Sequence, residues 1–193
     1  MQNAVVCGLQ NVLFAPAKAR PAESVRRPSP NQHVDLHRGD SALCALTDFR
    51  QETPYTVEAG SPMDLALADM VQIGVHALIV TQDDPGDRDY QVVGLITSYD
   101  IERARKYRRK HAASLADPDI RVGDVMTPWN ELPLVQYESL QSLTASEMYE
   151  RFQGTGLTHL LVVEMHDDEC AFARGLLSRS ALAQRLRRFE AIR

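Results

Sequence analysis

Val92-Val93-Gly94-Leu95-Ile96-Thr97-Ser98-Tyr99-Asp100-Ile101 is the stretch from which the fold is read. Val92, Val93, Leu95 and Ile96 form an apolar run rich in β-branched residues, broken by one glycine, and read as a buried strand. The run then becomes a helix start. Thr97 serves as N-cap, and Asp100 stands three residues on, where a carboxylate reaches back to the cap's amide. A hydroxyl and a carboxylate therefore meet at the positive end of a helix. Such a corner can hold a polar ligand, because a carboxylate accepts from ribose hydroxyls and free amides and a hydroxyl meet a phosphate. A Thr-x-x-Asp pair is also an ordinary helix cap, and the stretch alone does not choose between the two readings.

Working outward, the pattern occurs twice. Gly74 maps to Gly156, Leu78 to Leu160, Gly94 to Gly175 and Thr97 to Ser178. The offset is 82 residues at the first two pairs and 81 at the last two. In the first half, Pro54-Tyr55-Thr56-Val57 is a short extended piece. Ser61-Pro62 opens a helix whose apolar positions are Leu65, Leu67, Ala68, Met70 and Val71, with Gly74 as its stop. Ala77-Leu78-Ile79-Val80 is a strand, Gln82 to Asp89 a loop, and a helix follows Thr97. In the second half, Leu134-Val135 is extended, and Ser139 and Ser142 offer caps for a helix through Met148 to Phe152. Leu160-Leu161-Val162-Val163 and Gly175-Leu176-Leu177-Ser178 are strands, with a helix from Ser180. Each half reads strand, helix, strand, loop, strand, helix. So small a unit buries its sheet poorly alone, so two should pack around a pseudo-twofold axis with a small-ligand cleft between them.

At this point the sequence resembles a tandem pair of cystathionine-β-synthase (CBS) domains, a Bateman module, over roughly residues 45–186. The resemblance rests on Gly94 to Asp100, on Val122-Gly123-Asp124-Val125-Met126-Thr127-Pro128 between the halves, and on the Gly74 and Gly156 pieces. It implies an α+β fold of two β-α-β-β-α repeats. The expected organisation is a proline-rich arm over 1–40, a first repeat over 41–112 and a second over 113–193. It also implies an adenosine site. Thr97 would contact ribose or phosphate, with Ser98 beside it, and Asp100 would hold the ribose hydroxyls. Tyr55 and Thr56 would border adenine, the backbone of Ala77, Leu78 and Ile79 would read its edge, and Arg103 and Lys106 would neighbour phosphates. Ser178 keeps the hydroxyl in the second half, but Ala181 stands where the aspartate belongs. That site then binds nothing, binds weakly, or uses Arg179 or His159. The ligands implied are AMP, ADP, ATP or S-adenosylmethionine, with no cofactor required. The partners implied are a second copy in a homodimer and an unidentified protein target.

Composition bounds the alternatives. The chain has 193 residues, a formal net charge of -5 and three cysteines, Cys7, Cys44 and Cys170. That is length enough for a real core and too few thiols for a disulfide framework, and it fits reduced thiols in a cytoplasm. No run is long enough to span a bilayer. Val5 to Phe14 lacks the basic lead of a signal peptide. Ala15 to Pro30, with four prolines and four basic residues, cannot form a packed helix or a central strand. His33 and His37 stand at metal-chelating spacing without a third ligand. Arg103 to Lys110 forms a basic helix suited to phosphate or nucleic acid, or to solvent at a helix C-terminus, while the acidic total opposes nucleic acid. There is no phosphate-binding Gly-rich loop, no His-Glu-x-x-His helix and no Gly-x-Ser-x-Gly elbow, so an enzyme reading has little support. The expectation is a regulatory adenosine-ligand sensor. The alternatives are a ligand-free interaction module and, further off, a nucleic-acid-associated regulator.

Overall fold

The computed structural model describes residues 18–19, 35–82, 91–111, 120–167 and 170–190. The signal-like stretch, most of the proline-rich arm, His33, the greater part of the loop expected from Gln82 to Asp89, and residues 112–119 lie outside them. In chain order the elements are β1 (Lys18–Ala19), a 3-10 turn (Ala42–Ala45), β2 (Thr47–Asp48), β3 (Thr56–Glu58), α1 (Met63–Ile73), β4 (Ala77–Gln82), β5 (Gln91–Thr97), α2 (Ser98–His111) and α3 (Val122–Val125). Then come β6 (Thr127–Pro128), a second 3-10 turn (Trp129–Glu131), β7 (Leu134–Gln136), α4 (Tyr137–Gln141), α5 (Ala145–Gln153), β8 (His159–Asp167), β9 (Cys170–Ser178) and α6 (Arg179–Glu190). The expected α+β repeats are present, with helices following the strands in each half.

The chain divides into two compact units. One is Pro54–Leu132; the other joins Pro133–Arg193 to the segment that ends at Thr53. The first holds a four-stranded sheet ordered β3-β4-β5-β6, with β3 parallel to β4 and the other pairs antiparallel. Met63, Ala66 and Met70 of α1 pack with Leu78, Val80, Ile96, Ile101 and Val122 as its core. The second has the order β1-β9-β8-β7, with β2 also on β9. Its core gathers Val135, Leu140, Met148, Phe152, Leu160, Val162, Leu177 and Leu182, and takes in Leu36 and Ala42 from the N-terminal segment.

Each sheet is thus completed by a two-residue edge strand from outside the repeat read in the sequence. β6, at the head of the second repeat, pairs with β5 (Leu95 with Thr127), while β2, at the head of the first, pairs with β9 (Thr47 with Leu176). The boundary expected between 112 and 113 therefore does not coincide with the units. It is the sequence repeats that exchange these short strands; each strand lies within the compact unit whose sheet it completes. Two glycines make the exchange possible. A Cβ on Gly94 would sit 2.5 Å from the Thr127 carbonyl oxygen, and one on Gly175 would sit 2.4 Å from that of Thr47. No side chain fits beneath either crossing strand.

Three local expectations are corrected. Pro62, not Ser61, occupies the N-cap of α1, with no side-chain cap bond. Thr144 caps α5 in a capping box with Glu147, whereas Ser142 closes α4. Leu65 and Val71, expected in the buried stripe of α1, are 60 % and 76 % exposed. Gly74 does close α1 in the left-handed region, at φ 82°.

Candidate functional site

The corner at the start of α2 is built as its local sequence requires. β5 runs in as a central strand, and the Ser98 amide donates to the His76 carbonyl (3.0 Å), turning the chain off the sheet. The Thr97 amide and hydroxyl both donate to Asp100 Oδ2, at 3.0 and 2.7 Å, and the Asp100 amide donates to Thr97 Oγ1 at 3.3 Å. Thr97 is buried. This reciprocal box anchors one carboxylate oxygen. The other, Oδ1, meets only a long contact of 3.5 Å from Arg103, whose side chain is 82 % exposed. An exposed pair of that length holds its arginine weakly, so a competing donor displaces it at little cost.

The strand residues converge on the same corner. Ala77 pairs with Thr97, Thr56 pairs with Ile79, and the Ile79 amide donates to the Tyr55 carbonyl at 2.9 Å. Tyr55, Thr56, Ala77, Leu78, Ile79, Thr97, Ser98, Asp100 and Arg103 thus all lie within the Pro54–Leu132 unit, linked by register and hydrogen bonds. Ala77, Leu78 and Ile79 have buried side chains, and β4 is paired on both edges. What they offer a ligand is main chain at the strand's start, and the Ile79 amide is already committed.

Ser178 lies in the other unit, where it caps the corresponding helix differently. Its Oγ sits 3.0 Å from Ser180 Oγ and accepts from the Ala181 amide at 3.4 Å. The backbone turn is preserved, since the Arg179 amide donates to the Thr158 carbonyl (3.0 Å) as Ser98 does to His76. No carboxylate returns to the cap, because position 181 is alanine. His159 is buried, with Nδ1 3.1 Å from Thr158 Oγ1.

Sequence reasoning missed a second polar cluster. Arg174, 9 % exposed, donates to Asp48 Oδ2 at 2.8 Å and reaches Glu164 Oε2 at 3.3 Å. Its guanidinium stacks 4.6 Å from the centroid of Tyr137. Arg50 adds a 2.7 Å bond to Glu164. A charge inside Phe172-Ala173-Arg174-Gly175-Leu176 was the available signal. The cluster fastens β2 to β9, as the Phe49 amide also does by donating to the Arg174 carbonyl (2.9 Å).

Among the described residues, one open cavity of about 370 Å³ lies beside Glu58, Thr81 and Arg121 and another of about 390 Å³ between α5 and α6. Neither is lined by Thr97, Asp100 or Ser178. Among the described residues no group of three His, Cys, Asp or Glu could hold a metal ion, and no helix is long and apolar enough to cross a membrane.

Comparison with known proteins places residues 46–107 in the CBS domain family. No curated protein matches the chain. An uncharacterised conserved protein of Pyrococcus horikoshii superposes with a TM-score of 0.52 at 19% identity, over 77% of this chain and 93% of that one. A CBS-domain-containing protein of Agrobacterium tumefaciens gives 0.51 at 18%, over 82% and 98%. The structure of CBSX2 in complex with AMP gives 0.49 at 21%, over 80% and 100%. CBSX2 is a CBS-pair protein from Arabidopsis thaliana. At these identities the likeness is one of fold.

Proposed function

We propose that the chain is a regulatory module that binds an adenine nucleotide or an S-adenosyl compound at the start of α2, a reading supported by the CBS-domain match over residues 46–107 and by the fold shared with its structural neighbours. One observation carries the reading. The Thr97–Asp100 box fixes one carboxylate oxygen and leaves the other directed at a weakly held, exposed arginine. A vicinal diol is a two-donor group suited to that oxygen, and Arg103 then becomes available to a phosphate. The dipole of the 14-residue α2 favours the same anion. The second unit lacks the carboxylate, so one adenosine site per chain is expected. The signal passes to a protein target through the differential affinity of that target for the liganded and free states.

Thermal unfolding with AMP, ADP, ATP and S-adenosylmethionine, on wild type and Asp100→Asn, tests the reading. Asparagine retains a cap acceptor but loses the charge. A ligand at one hundred times its dissociation constant stabilises by about 2.7 kcal/mol. For this chain length that is a midpoint shift of roughly 5–11 °C. The shift is expected in wild type and absent or much reduced in the variant. No shift with any of the four at millimolar concentration rejects the sensor. A second reading, an interaction module without ligand, is favoured by the way Thr97 and Asp100 satisfy each other.

A further inference from the structure

The cavity of about 390 Å³ between α5 and α6 has a cause that the other repeat makes visible. In the Pro54–Leu132 unit, Arg105 of α2 donates to Asp64 of α1 at 2.7 and 2.9 Å, so an ion pair spans the two helices. By the repeat offset, Asp64 corresponds to Ser146 and Arg105 to Leu186. Serine is short and leucine has no donor, so the bridge is lost and the space between α5 and α6 stays open. Both residues line the cavity.

The lining is polarised along its length. The Ser146 amide donates to the Arg38 carbonyl at 3.2 Å, and the Leu36 amide to the Arg185 carbonyl at 3.4 Å. These bonds, with the match of Ser146 and Leu186 to a bonded pair, bring Arg38 and Arg187 to the Ser146 end. Glu150 and Gln153 line the cavity one and two turns further along α5. Tyr149 and Leu186, half-buried against the core, join Ala183 as an apolar floor. Arg38, Arg187 and Glu150 are exposed, and among the described residues no ion pair engages Arg187 or Glu150. The first unit has Leu67, Ala68 and Val71 where this one has Tyr149, Glu150 and Gln153, so it repeats neither the charge gradient nor the aromatic ring.

The gradient selects the ligand. Two guanidinium groups and a hydroxyl at one end suit a carboxylate, since the arginine fork matches its two coplanar oxygens. A carboxylate and an amide oxygen at the other end accept from an ammonium group. A bare anion meets Glu150 as a like charge, and a bare amine meets the arginines so; a zwitterion satisfies both ends. The volume stands at the lower end of small-molecule sites, which keeps the ligand small. We infer that this cavity binds a free amino acid with an apolar side chain. Its carboxylate lies on Arg38 and Arg187, its ammonium on Glu150, and its side chain against Tyr149 and Leu186. The site lies in the opposite unit from the Thr97–Asp100 corner and stands independently of any ligand there.

Isothermal titration calorimetry of the full chain tests it with L-leucine and L-phenylalanine. The controls are the matched acids and amines that each lack one charged group: 4-methylpentanoate and 3-methylbutylamine, 3-phenylpropanoate and 2-phenylethylamine. At least one amino acid should bind at millimolar concentration or below, and its matched acid and amine should each bind about tenfold or more weakly. Arg187→Gln should weaken the amino acid by a similar factor. Glu150→Gln should weaken the amino acid yet leave the matched acid unchanged or tighter, a reversal that a structural role does not produce. Ser146→Asp combined with Leu186→Arg rebuilds the bridge of the first unit and should abolish binding, with circular dichroism confirming that each variant is folded. Absence of binding by both amino acids at millimolar concentration overturns the inference. So does a matched acid or amine that binds as tightly as its amino acid, or binding that survives in the rebuilt-bridge variant.

Discussion

Replacing Arg174 by methionine should cost the fold about 3 kcal/mol, and the geometry sets that figure. The guanidinium is 9 % exposed and its partner Asp48 is 13 % exposed. Removing one member of a buried pair leaves the other charge desolvated, which destabilises by about 3–5 kcal/mol. Two features hold the loss to the lower end. Asp48 keeps the Arg50 amide at 2.8 Å and the Gln51 side chain at 3.3 Å, so it is not left bare. Arg174 Nε is buried without a hydrogen-bond partner, and methionine removes that burden while preserving contact with Tyr137. Urea unfolding followed by circular dichroism measures the change, and thermal unfolding should show a midpoint lowered by roughly 6–12 °C. Hydrogen exchange localises it. Amides at Thr47 to Phe49 should exchange faster, since β2 is held on β9 by this side chain, while Thr127 on β6 should be unchanged. A double-mutant cycle with Asp48→Asn should give strong coupling. A loss below about 1 kcal/mol, or additive effects in the cycle, would refute the view that this pair fastens the edge strand.

Three further outcomes follow from the same contacts. Gly175→Val forces a side chain where Thr47 passes and should destabilise by more than about 2 kcal/mol; Gly94→Val should do the same beneath Thr127, both read by urea midpoints. Ala181→Asp should give Ser178 the box that Thr97 has and stabilise by about 0.5–1 kcal/mol, and a fall in midpoint temperature would count against the repeat equivalence. Bonds from the Thr144 amide and hydroxyl hold the Glu147 carboxyl below its ordinary value of 4.5. Its contribution to stability is therefore present above that value and is lost as pH falls through the depressed folded value. In Glu147→Gln, stability should vary less with pH across this acid window, and an unchanged profile would remove the box from the account.

Much of the architecture was legible because its signals are local. Val92 to Ile96 declares a strand by its run of branched side chains, and Thr97 and Asp100 declare a cap by spacing alone. The offset from Gly74 to Gly156 carried both readings into the second half. What escaped has causes of its own. Thr47-Asp48 and Thr127-Pro128 are too short for any periodicity, and one contains proline; their place is set by a distant glycine with no side chain. Arg174 has a partner 126 residues away, which no window along the chain captures. α1 is apolar nearly all round, so its phase was undetermined, and Met63, Ala66 and Met70 took the inner side that Leu65 and Val71 were expected to share. The corner itself was found, but its residues could equally serve a cap, because a cap and a ribose draw on the same carboxylate chemistry.

The exchange of β2 and β6 also fixes an order of events during synthesis. Pro54–Leu132 contains all four strands of its sheet and is complete once residue 132 has left the ribosome. Asp48 has emerged long before, yet the strand it belongs to has no place until β9, ending at Ser178, is made. At translation rates of about 5–20 residues per second that wait lasts roughly 6–26 s. The nascent chain therefore carries one finished unit and an unpaired N-terminal edge at the same time. The early unit is also the one with the Thr97–Asp100 corner, so that corner is formed before the second unit exists.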